Sequence, residues 1–281
     1  MKRLTVTLLT LAALAASTPA AASADTLLAP APGAVNLATG GGYLAWFSPG
    51  EDTGWNLVVR NPDGTVVQPD VPFFPGPTQL SIGSGIDKDF NRTLSITYAR
   101  SDGDLYTLDV RAGTERKLTR LSTKAYREDA PQIVFGSYAF VRRGGKRPGV
   151  YVSARGRAPR RLTADTPSDL AFNGTRVAYA KGNAVIVRRV SGEGRTLTFR
   201  AGSRPSSPVL TRYRVAWLER ATGTVRQTPR FAGSGGPYDV RTSQAGARTI
   251  PGAQSIVMDR SNKANTFLDG AGVKQAVPPL F

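Results

Sequence analysis

The sequence contains no cysteine and no histidine, and each absence removes a class of function. Without histidine, the commonest general base and the Ser/His/Asp triad are both missing. Without either residue type, the usual ligands of zinc, copper and haem are missing too, so we expect no cofactor and no metal site. Exported proteins depend on disulfides mainly when they are too small to bury a core, and a chain of 281 residues is not small.

Long apolar runs are also scarce, apart from a short one at the N-terminus. Met1-Lys2-Arg3 is cationic, Leu4–Ala16 is a largely apolar run of 13 residues, and a tail of small residues ends at Ala22-Ser23-Ala24. This order predicts a secretory signal peptide over residues 1–24. The run is shorter than the roughly 18 to 20 residues that span a bilayer. We therefore expect cleavage near Ala24, no transmembrane segment in the mature chain 25–281, and a secreted, periplasmic or cell-envelope location.

Acidic residues are few beside basic ones, with 20 Asp and Glu against 37 Lys and Arg and a formal charge of +17. The densest basic stretch, 142–161, holds eight cations and no acid, namely Arg142, Arg143, Lys146, Arg147, Arg155, Arg157, Arg160 and Arg161. One interpretation is a contact for an anionic polymer. The other, which we favour, is a solvated outer hairpin whose charge prevents sheet aggregation. Nucleic acid is not an expected partner, because Tyr151 is the only aromatic residue in the stretch.

One short apolar strand recurs along the chain, preceded by a turn and containing one small residue. The copies are GGYLAWFS (41–48), NRTLSITYA (91–99), GSYAFVRR (136–143), GTRVAYAK (174–181) and YRVAWLER (213–220). Their small residues, Ala45, Ser95, Ala139, Ala178 and Ala216, are separated by 50, 44, 39 and 38 positions. A weaker sixth copy, QSIVMDR, places Val257 another 41 residues on. A period near 40 residues is the signature of a repeat architecture.

The residues around each copy predict four short antiparallel strands per repeat. The strands that follow are rich in β-branched and aromatic residues, as in DLYTLDV (104–110) and NAVIVRRV (183–190), and Gly-containing turns such as RAGTE and SGEGR connect them to a polar strand. SDLAF (168–172) exemplifies the strand before the opening turn. No apolar pattern persists at helical spacing.

A sheet of this size cannot bury both faces alone, whereas radial stacking around a channel buries them. The sequence therefore predicts an all-β fold, a β-propeller of six four-stranded blades, with five or seven blades as alternatives. A pair of β-sandwiches is the other architecture considered. In the propeller, Phe172–Ala180 is an inner hairpin with Asn173-Gly174 as its two-residue turn, and Thr26-Leu27-Leu28 could close the ring by joining the last blade beside residues 265–270. The three tryptophans lie within predicted strands and are expected in the core.

Two repeats carry a more specific pattern. Residues 104–141 contain Lys117-Leu118-Thr119 and then Asp129-Ala130-Pro131, and residues 149–180 contain Arg161-Leu162-Thr163 and then Asp165-Thr166-Pro167. This resembles the WD40-like repeats of TolB-type propellers, in which R-x-L-T and D-x-x-P precede the next inner hairpin. The chain departs from that family in its FGS and FNGT turns, which replace Ser-Pro-Asp-Gly, and in having no amino-terminal domain before the propeller. The resemblance implies the fold and an extracytoplasmic location, and it implies little about activity.

Carboxylate chemistry is the catalytic option that this composition leaves open. Propellers can carry paired Asp and Glu for glycoside cleavage. The acids here are scattered, however, and most stand beside Gly, Pro or Ser, where short acidic side chains cap turns. Asp87-Lys88-Asp89-Phe90-Asn91 begins like a calcium loop, but Arg92 and Tyr98 occupy the positions that need Gly and Glu. We therefore predict no calcium site there.

The loops that join one blade to the next converge on one mouth of the channel, and they supply our candidate binding residues. These loops include 123–131, 163–169 and 201–208. The candidates combine both charges with one aromatic ring, as protein contacts do, and are Lys124, Tyr126, Arg127, Glu128, Asp129 and Asp165. The leading hypothesis is a non-enzymatic exported propeller that binds a protein or cell-envelope component at this mouth. The alternatives are a carbohydrate-active hydrolase or lyase with paired carboxylates, and polyanion binding by residues 142–161.

Overall fold

The computed structural model describes residues 25–51, 53–86, 92–211, 214–228, 247–258 and 265–276. Within these ranges every regular element is a β-strand, and no helix is present that could cross a membrane. The predicted signal peptide and residues 87–91 lie outside the described part of the chain.

The strands form six antiparallel sheets of four strands each. A first strand, β1 (Thr26–Pro30), precedes blade 1. Blade 1 consists of β2 (Val35–Gly40), β3 (Tyr43–Pro49), β4 (Trp55–Arg60) and β5 (Val66–Val67). Blade 2 consists of β6 (Ser81–Ile86), β7 (Arg92–Ala99), β8 (Leu105–Asp109) and β9 (Glu115–Lys117). Blade 3 consists of β10 (Arg127–Val134), β11 (Ser137–Arg143), β12 (Gly149–Ser153) and β13 (Arg160–Thr163).

Two further blades repeat this order, and the sixth is completed by the first strand of the chain. Blade 4 consists of β14 (Leu170–Phe172), β15 (Arg176–Lys181), β16 (Ala184–Arg189) and β17 (Leu197–Arg200). Blade 5 consists of β18 (Pro205–Leu210), β19 (Val215–Glu219), β20 (Thr224–Gln227) and β21 (Ala247–Thr249). Blade 6 consists of β22 (Ser255–Met258), β23 (Asn265–Leu268), β24 (Gly272–Gln275) and β1.

The six sheets stand in a closed ring around a central channel. The first strands of successive blades contact each other in turn, from β2 through β6, β10, β14 and β18 to β22, which contacts β2 again. This closure confirms the predicted six-bladed propeller and rules out the pair of sandwiches. Because every blade has two neighbours, each sheet buries both of its faces.

Apolar side chains hold the ring together at the interfaces between blades. The buried residues fall into six clusters, and each cluster joins two successive blades. Between blades 1 and 2, for example, Phe47 and Val59 pack with Ile96 and Tyr98. Burial of one such side chain contributes about 1.5 to 3 kcal/mol, so the interfaces are the main source of stability. The tryptophan prediction agrees, since Trp46 and Trp217 are buried and Trp55 is partly buried in β4.

The small residue of each repeat lies on the second strand of its blade. Ala45, Ser95, Ala139, Ala178 and Ala216 are all buried there, opposite a residue of the innermost strand. The assignment of Val257 as the sixth copy was wrong, because Val257 lies on the innermost strand β22. The equivalent residue is Thr266, which is its partner on β23. The apolar sequence SIVM would suit either the innermost or the second strand of a blade, and only its pairing with β23 shows that it is the innermost one.

The ring closes through β1, which forms the outer edge of blade 6. Thr26 pairs with Gln275 and Pro30 with Gly272, so the neighbour of β1 is β24 and not the predicted 265–270 segment. The prediction that Thr26-Leu27-Leu28 adds a strand to the last blade is confirmed. Because β1 and β24 come from opposite ends of the chain, their pairing closes the ring, and the stability of the ring depends on both segments.

The inner hairpin of blade 4 shows how the turn of the repeat works. Phe172 pairs with Val177, and Asn173 Oδ1 accepts hydrogen bonds from the backbone N–H groups of Thr175 and Arg176 at 3.0 and 2.8 Å. Of Asn173 and Gly174, only Gly174 has a positive φ, at 92°. The two central residues are therefore Gly174 and Thr175, one position later than predicted, and Asn173 caps the turn.

Candidate functional site

The central channel is narrow and has a polar mouth. The innermost strands of all six blades line it, and the space that they leave is about 130 Å³. The polar and charged residues of the lining include Asn36, Gln79, Gln132, Asp169, Ser207 and Arg220. The mouth is the end at which the loops 68–80, 118–126 and 164–169 join successive blades.

One side chain ties two blades together across the mouth. Gln79 Nε2 donates to the carbonyl oxygen of Leu170 at 3.2 Å, and the Leu170 N–H donates to Gln79 Oε1 at 3.2 Å. Gln79 precedes blade 2 and Leu170 begins blade 4, so this pair of bonds passes blade 3 on the inside of the ring. It narrows the channel and fixes the distance between non-adjacent blades.

The innermost strands of alternate blades carry a β-bulge at the same place. The pairing shifts between Val35 and Ala38 in blade 1, between Asp129 and Gln132 in blade 3, and between Ser206 and Val209 in blade 5. The first residue within each bulge has a positive φ, which is 57° for Asn36, 48° for Ala130 and 45° for Ser207. Such bulges bend a strand and redirect its side chains. The mouth thus has a three-fold alternation that the sequence period alone does not indicate.

The bulges place polar groups where other blades can hold them. Asn36 Nδ2 donates to the carbonyl oxygen of Thr78 at 2.9 Å, and the Ser207 N–H donates to Asp169 Oδ2 at 3.2 Å. The side chains of Asn36, Gln79 and Asp169 therefore form hydrogen bonds between blades, and these bonds stiffen the mouth that supports the surrounding loops.

Glu128, one of the predicted binding residues, is fully buried inside blade 3. Its Oε1 accepts a hydrogen bond from Arg142 Nε at 3.1 Å and one from Thr123 Oγ1 at 3.3 Å. Arg142 also donates to the carbonyl oxygen of Leu121 at 2.8 Å, and its guanidinium lies 4.4 Å from the ring centroid of Tyr151. Burial raises the pKa of Glu128, and its bonds to Thr123 and Arg142 oppose that shift.

The other two predicted carboxylates also form ion pairs with cations. Asp129 Oδ2 lies 3.0 Å from Arg143 Nε, and Arg143 further donates to the carbonyl oxygens of Thr166 and Pro167. Asp165 accepts bonds from Lys181 Nζ at 2.7 Å and from the Tyr179 hydroxyl at 2.6 Å. These pairs join the mouth loops to the strands below them.

The remaining predicted residues lie on the surface of the mouth. Lys124 and Arg127 are exposed, and Tyr126 is half-buried with its ring against Gly145. The guanidinium of Arg142 lies 5.3 Å from the Tyr126 ring centroid, which holds the ring in place. Whether any of the six predicted residues touches a ligand stays a prediction.

The acid sensitivity of the fold provides a test of the Asp165 contacts. Burial alone would raise the pKa of Asp165, but the bonds from Lys181, Tyr179 and Thr163 outweigh it and lower the pKa below the ordinary value of 3.8. A lowered folded-state pKa stabilises the fold above the unfolded-state value, and this contribution is lost as pH falls through the folded-state pKa.

We therefore expect Asp165→Asn to lower the free energy of unfolding by about 1.5 kcal/mol at pH 7, the lower end of the range for a lost hydrogen bond to a charged group. The difference from wild type should shrink as pH falls below 4. Urea unfolding between pH 2.5 and 7 measures it. Asp70→Asn, at an exposed carboxylate outside the ion pairs described above, is the control. A difference that stays constant with pH would contradict the assignment.

The basic stretch 142–161 is divided between two ends of blade 3. Arg142 and Arg143 are used in the ion pairs above, and Lys146 and Arg147 are exposed in the loop between β11 and β12 at the mouth. Arg155 and Arg157 lie in the turn between β12 and β13 at the opposite end, while Arg160 and Arg161 belong to the outermost strand β13, as predicted. Arg161 donates to the carbonyl oxygen of Pro148. Polyanion binding by these residues stays a prediction, but they do not form one patch.

In the described part of the chain, no group of three or more Asp and Glu side chains could hold a metal ion. The calcium-like segment 87–91 lies outside the described residues.

Sequence reasoning missed the proline-rich loop between blades 1 and 2. Phe73 in this loop is 50% exposed, whereas its neighbour Phe74 is 2% exposed. Phe73 lies over Gly54, where any side chain would overlap its ring. Arg100 donates to the carbonyl oxygen of Pro72 at 2.9 Å, which joins the loop to blade 2. An aromatic pair flanked by prolines in VPFFPGP was a signal for such a loop.

Solved structures similar to this chain are β-propellers of diverse function. A gluconolactonase from Xanthomonas campestris matches with a TM-score of 0.60 at 14% identity, over 89% of this chain and 87% of that chain. A chain of the mitotic checkpoint complex matches with a TM-score of 0.56 at 14% identity, over 96% and 97%. A chain of a nidogen–laminin complex matches with a TM-score of 0.52 at 14% identity, over 71% and 77%.

At these identities the likeness concerns the fold alone. It places the chain among the β-propellers, with WD40-like neighbours. No family model matches the chain, and no curated protein matches it. The TolB-like subtype therefore stays a prediction.

Proposed function

We propose that this protein is an exported, non-enzymatic binding propeller whose mouth binds an acidic protein or cell-envelope component. The observation that carries the proposal is a set of exposed side chains on the mouth loops, which we call the mouth surface: Phe73, Lys124, Arg127, Lys146 and Arg147. One exposed aromatic residue and four cations suit a partner that offers an apolar pocket within an acidic surface.

Direct contacts join the loops that carry the mouth surface. Beyond the Arg100 bond to the Phe73 loop, the Glu128 N–H donates to the carbonyl oxygen of Gly103 at 2.7 Å, which joins blades 2 and 3. The ring of Tyr126 packs on Gly145, which links the loops of Lys124 and Lys146. A partner would therefore meet a surface that is already ordered, and ordering costs would be small.

The channel itself offers little for catalysis by paired carboxylates. Glycoside cleavage needs two carboxyl groups roughly 5 to 9.5 Å apart. Among the described residues of the channel lining, Asp169 is the single carboxylate, and a backbone N–H already binds it. The gluconolactonase likeness makes an enzyme the second candidate. Turnover of a lactone or glycoside that is lost in Asp169→Asn would overturn the binding proposal.

Export of the protein is consistent with the position of the closing strand. Cleavage after Ala24 would leave β1, which begins at Thr26, complete. Asp25 would become the first residue, and its Oδ1 accepts a hydrogen bond from Arg248 at 2.7 Å. The intact mass of the exported protein, which we expect to start at Asp25, tests this part of the proposal.

Site-specific photo-crosslinking tests the mouth surface. A benzoyl-phenylalanine at position 73 should capture a discrete envelope component in the producing cells. The same probe at position 135 is the matched control, because Phe135 is 51% exposed in the turn between β10 and β11 at the opposite end. The double variant Lys146→Glu and Arg147→Glu should reduce capture at position 73 about tenfold, since it reverses two rim charges.

Equal capture from positions 73 and 135, or capture that the charge reversal does not change, would contradict the proposal. Circular dichroism melting curves of each variant separate loss of binding from loss of folding. Both substituted lysine and arginine side chains are exposed, so we expect changes in stability within about 0.5 kcal/mol.

A further inference from the structure

A second concave site lies between blades 2 and 3, away from the channel. It has a volume of about 250 Å³. Blade 2 contributes β9 and the segment that follows it. Blade 3 contributes the turn between β10 and β11, the turn between β12 and β13, and residues of β11 and β12. The polar and charged residues of this cleft are Arg116, Lys117, Thr119, Arg120, Tyr138, Ser153 and Arg157. We call it the interblade cleft.

The charges of the interblade cleft all have one sign. Four cations line it, and no carboxylate is among its lining residues. Lys117 Nζ is used elsewhere, in ion pairs with Asp102 and Asp104. Arg116 and Arg157 make no ion pair with any residue that the structure describes. Two guanidinium groups, from different blades, are therefore available to an anion.

The backbone around these groups is fixed. Ser153 Oγ donates to the carbonyl oxygen of Arg157 at 2.7 Å, and the Arg157 N–H donates to the carbonyl oxygen of Ala154 at 2.9 Å. Arg120 donates to the carbonyl oxygen of Gly156 and so connects the two walls of the cleft. Fixed walls reduce the entropy that a ligand must overcome when it orders the site.

Tyr138 adds a neutral donor beside the cations. Its ring packs with Phe140, Tyr151 and Leu118 at the interface between the blades. In the described part of the chain, no residue forms a hydrogen bond with its hydroxyl group, which therefore remains able to donate to a ligand. Burial raises the pKa of this hydroxyl, and the charge of Arg116, which lines the same cleft, partly opposes the shift.

We propose that the interblade cleft binds a tetrahedral oxyanion, the phosphate or sulfate group of a larger ligand. Donors from two blades approach the same space, and an anion with three or more acceptor oxygens can satisfy them together. Guanidinium groups match the geometry of phosphate oxygens better than point charges do. The volume also exceeds what a single carboxylate fills.

This site differs from both the mouth surface and the predicted polyanion stretch. Of the four cations of the interblade cleft, Arg157 alone belongs to residues 142–161, and Arg116 and Arg120 come from the neighbouring blade. A sequence window could not join them, because the packing of blade 2 against blade 3 brings them together. The proposal is independent of the proposed binding at the mouth.

Calorimetric titration of the exported chain tests the proposal, with pyrophosphate, sulfate and acetate as probes at one ionic strength. We expect pyrophosphate to bind more tightly than sulfate, and acetate to bind at least tenfold more weakly than either. Arg116→Ala and Arg157→Ala should each weaken pyrophosphate binding about tenfold, as loss of a hydrogen bond to a charged group does. Tyr138→Phe should weaken it about threefold.

Arg204→Ala is the matched control, because it removes the same charge from an exposed site in the loop between β17 and β18. Arg116→Lys keeps the charge and should recover part of the affinity. Absence of pyrophosphate binding at millimolar concentration would overturn the proposal. So would equal binding of acetate, or equal weakening by Arg204→Ala, which would indicate attraction to the net charge alone.

Discussion

Glu128→Ala should lower the free energy of unfolding by about 3 to 5 kcal/mol, the cost of breaking a buried ion pair from one side. Glu128 is 0% exposed and Arg142 is 8% exposed. Without the carboxylate, the Leu121 carbonyl oxygen would be the one hydrogen-bond acceptor left to the Arg142 guanidinium among the residues that the structure describes. A charge left in that environment is expensive because water cannot replace the lost partner. Urea unfolding at pH 7 measures the change.

Two comparisons make this expectation specific to the buried pair. Lys181→Ala breaks an ion pair whose lysine side chain is 62% exposed, and it should cost no more than about 1 kcal/mol. Replacement of both partners by apolar residues, Glu128→Leu with Arg142→Met, should recover much of the stability. If Glu128→Ala lowered the free energy of unfolding by less than 1 kcal/mol, water would be able to reach the Arg142 guanidinium. The description of Glu128 and Arg142 as a buried ion pair would then be wrong.

Glu128 also shows where sequence reasoning stops. Residues 124–129 look alike in the sequence, as a charged loop with one tyrosine, and all were predicted to lie at the mouth. The strand β10 begins at Arg127, however, and its alternation turns Glu128 inward, between an exposed Arg127 and a half-buried Asp129. The partner Arg142 lies 14 residues further on, in the next strand, so the pairing depends on a register that no local pattern reveals.

The repeat itself was predictable because it is local. Each blade is a run of four neighbouring strands. Its alternating apolar residues, its turn glycines and its small residue all occur within about 40 consecutive positions. Blade 6 departs from this rule because β1 comes from the other end of the chain. There the apolar segment 255–258 could be either of two strands, and Val257 was assigned to the wrong one.

The candidate site was less predictable than the fold, for a physical reason. The mouth surface combines residues of several loops, and the interblade cleft combines two blades, so both depend on packing between repeats. The bulges at Asn36, Ala130 and Ser207 have no shared residue type that would reveal them. Only the position of the loops at one end of the channel followed from the blade pattern.

Phe74→Ala should lower the free energy of unfolding by about 3 to 5 kcal/mol, because it leaves a cavity between blades 1 and 2. The Phe74 ring meets those of Phe47 and Tyr98 edge-on, with centroids 4.8 and 5.2 Å away, and the Arg100 guanidinium lies 4.7 Å from it. Its backbone also pairs with that of Trp55, with N···O distances of 2.8 and 3.2 Å. Thermal and urea unfolding measure the loss, and Phe74→Leu, which fills most of the volume, should retain much of the stability.

The neighbouring residue supplies a control within the same loop. Phe73→Ala removes an equal ring at 50% exposure and should change stability by less than about 1 kcal/mol. It should also reduce partner capture at the mouth, measured in this variant with the benzoyl-phenylalanine moved to position 124. Phe74→Ala should reduce both, since Phe74 anchors the loop that carries Phe73. If Phe73→Ala proved as destabilising as Phe74→Ala, Phe73 would be part of the core and could not act as the aromatic contact of the mouth surface. A variant that loses capture with an unchanged unfolding curve would instead place the effect at the surface, where the binding proposal requires it.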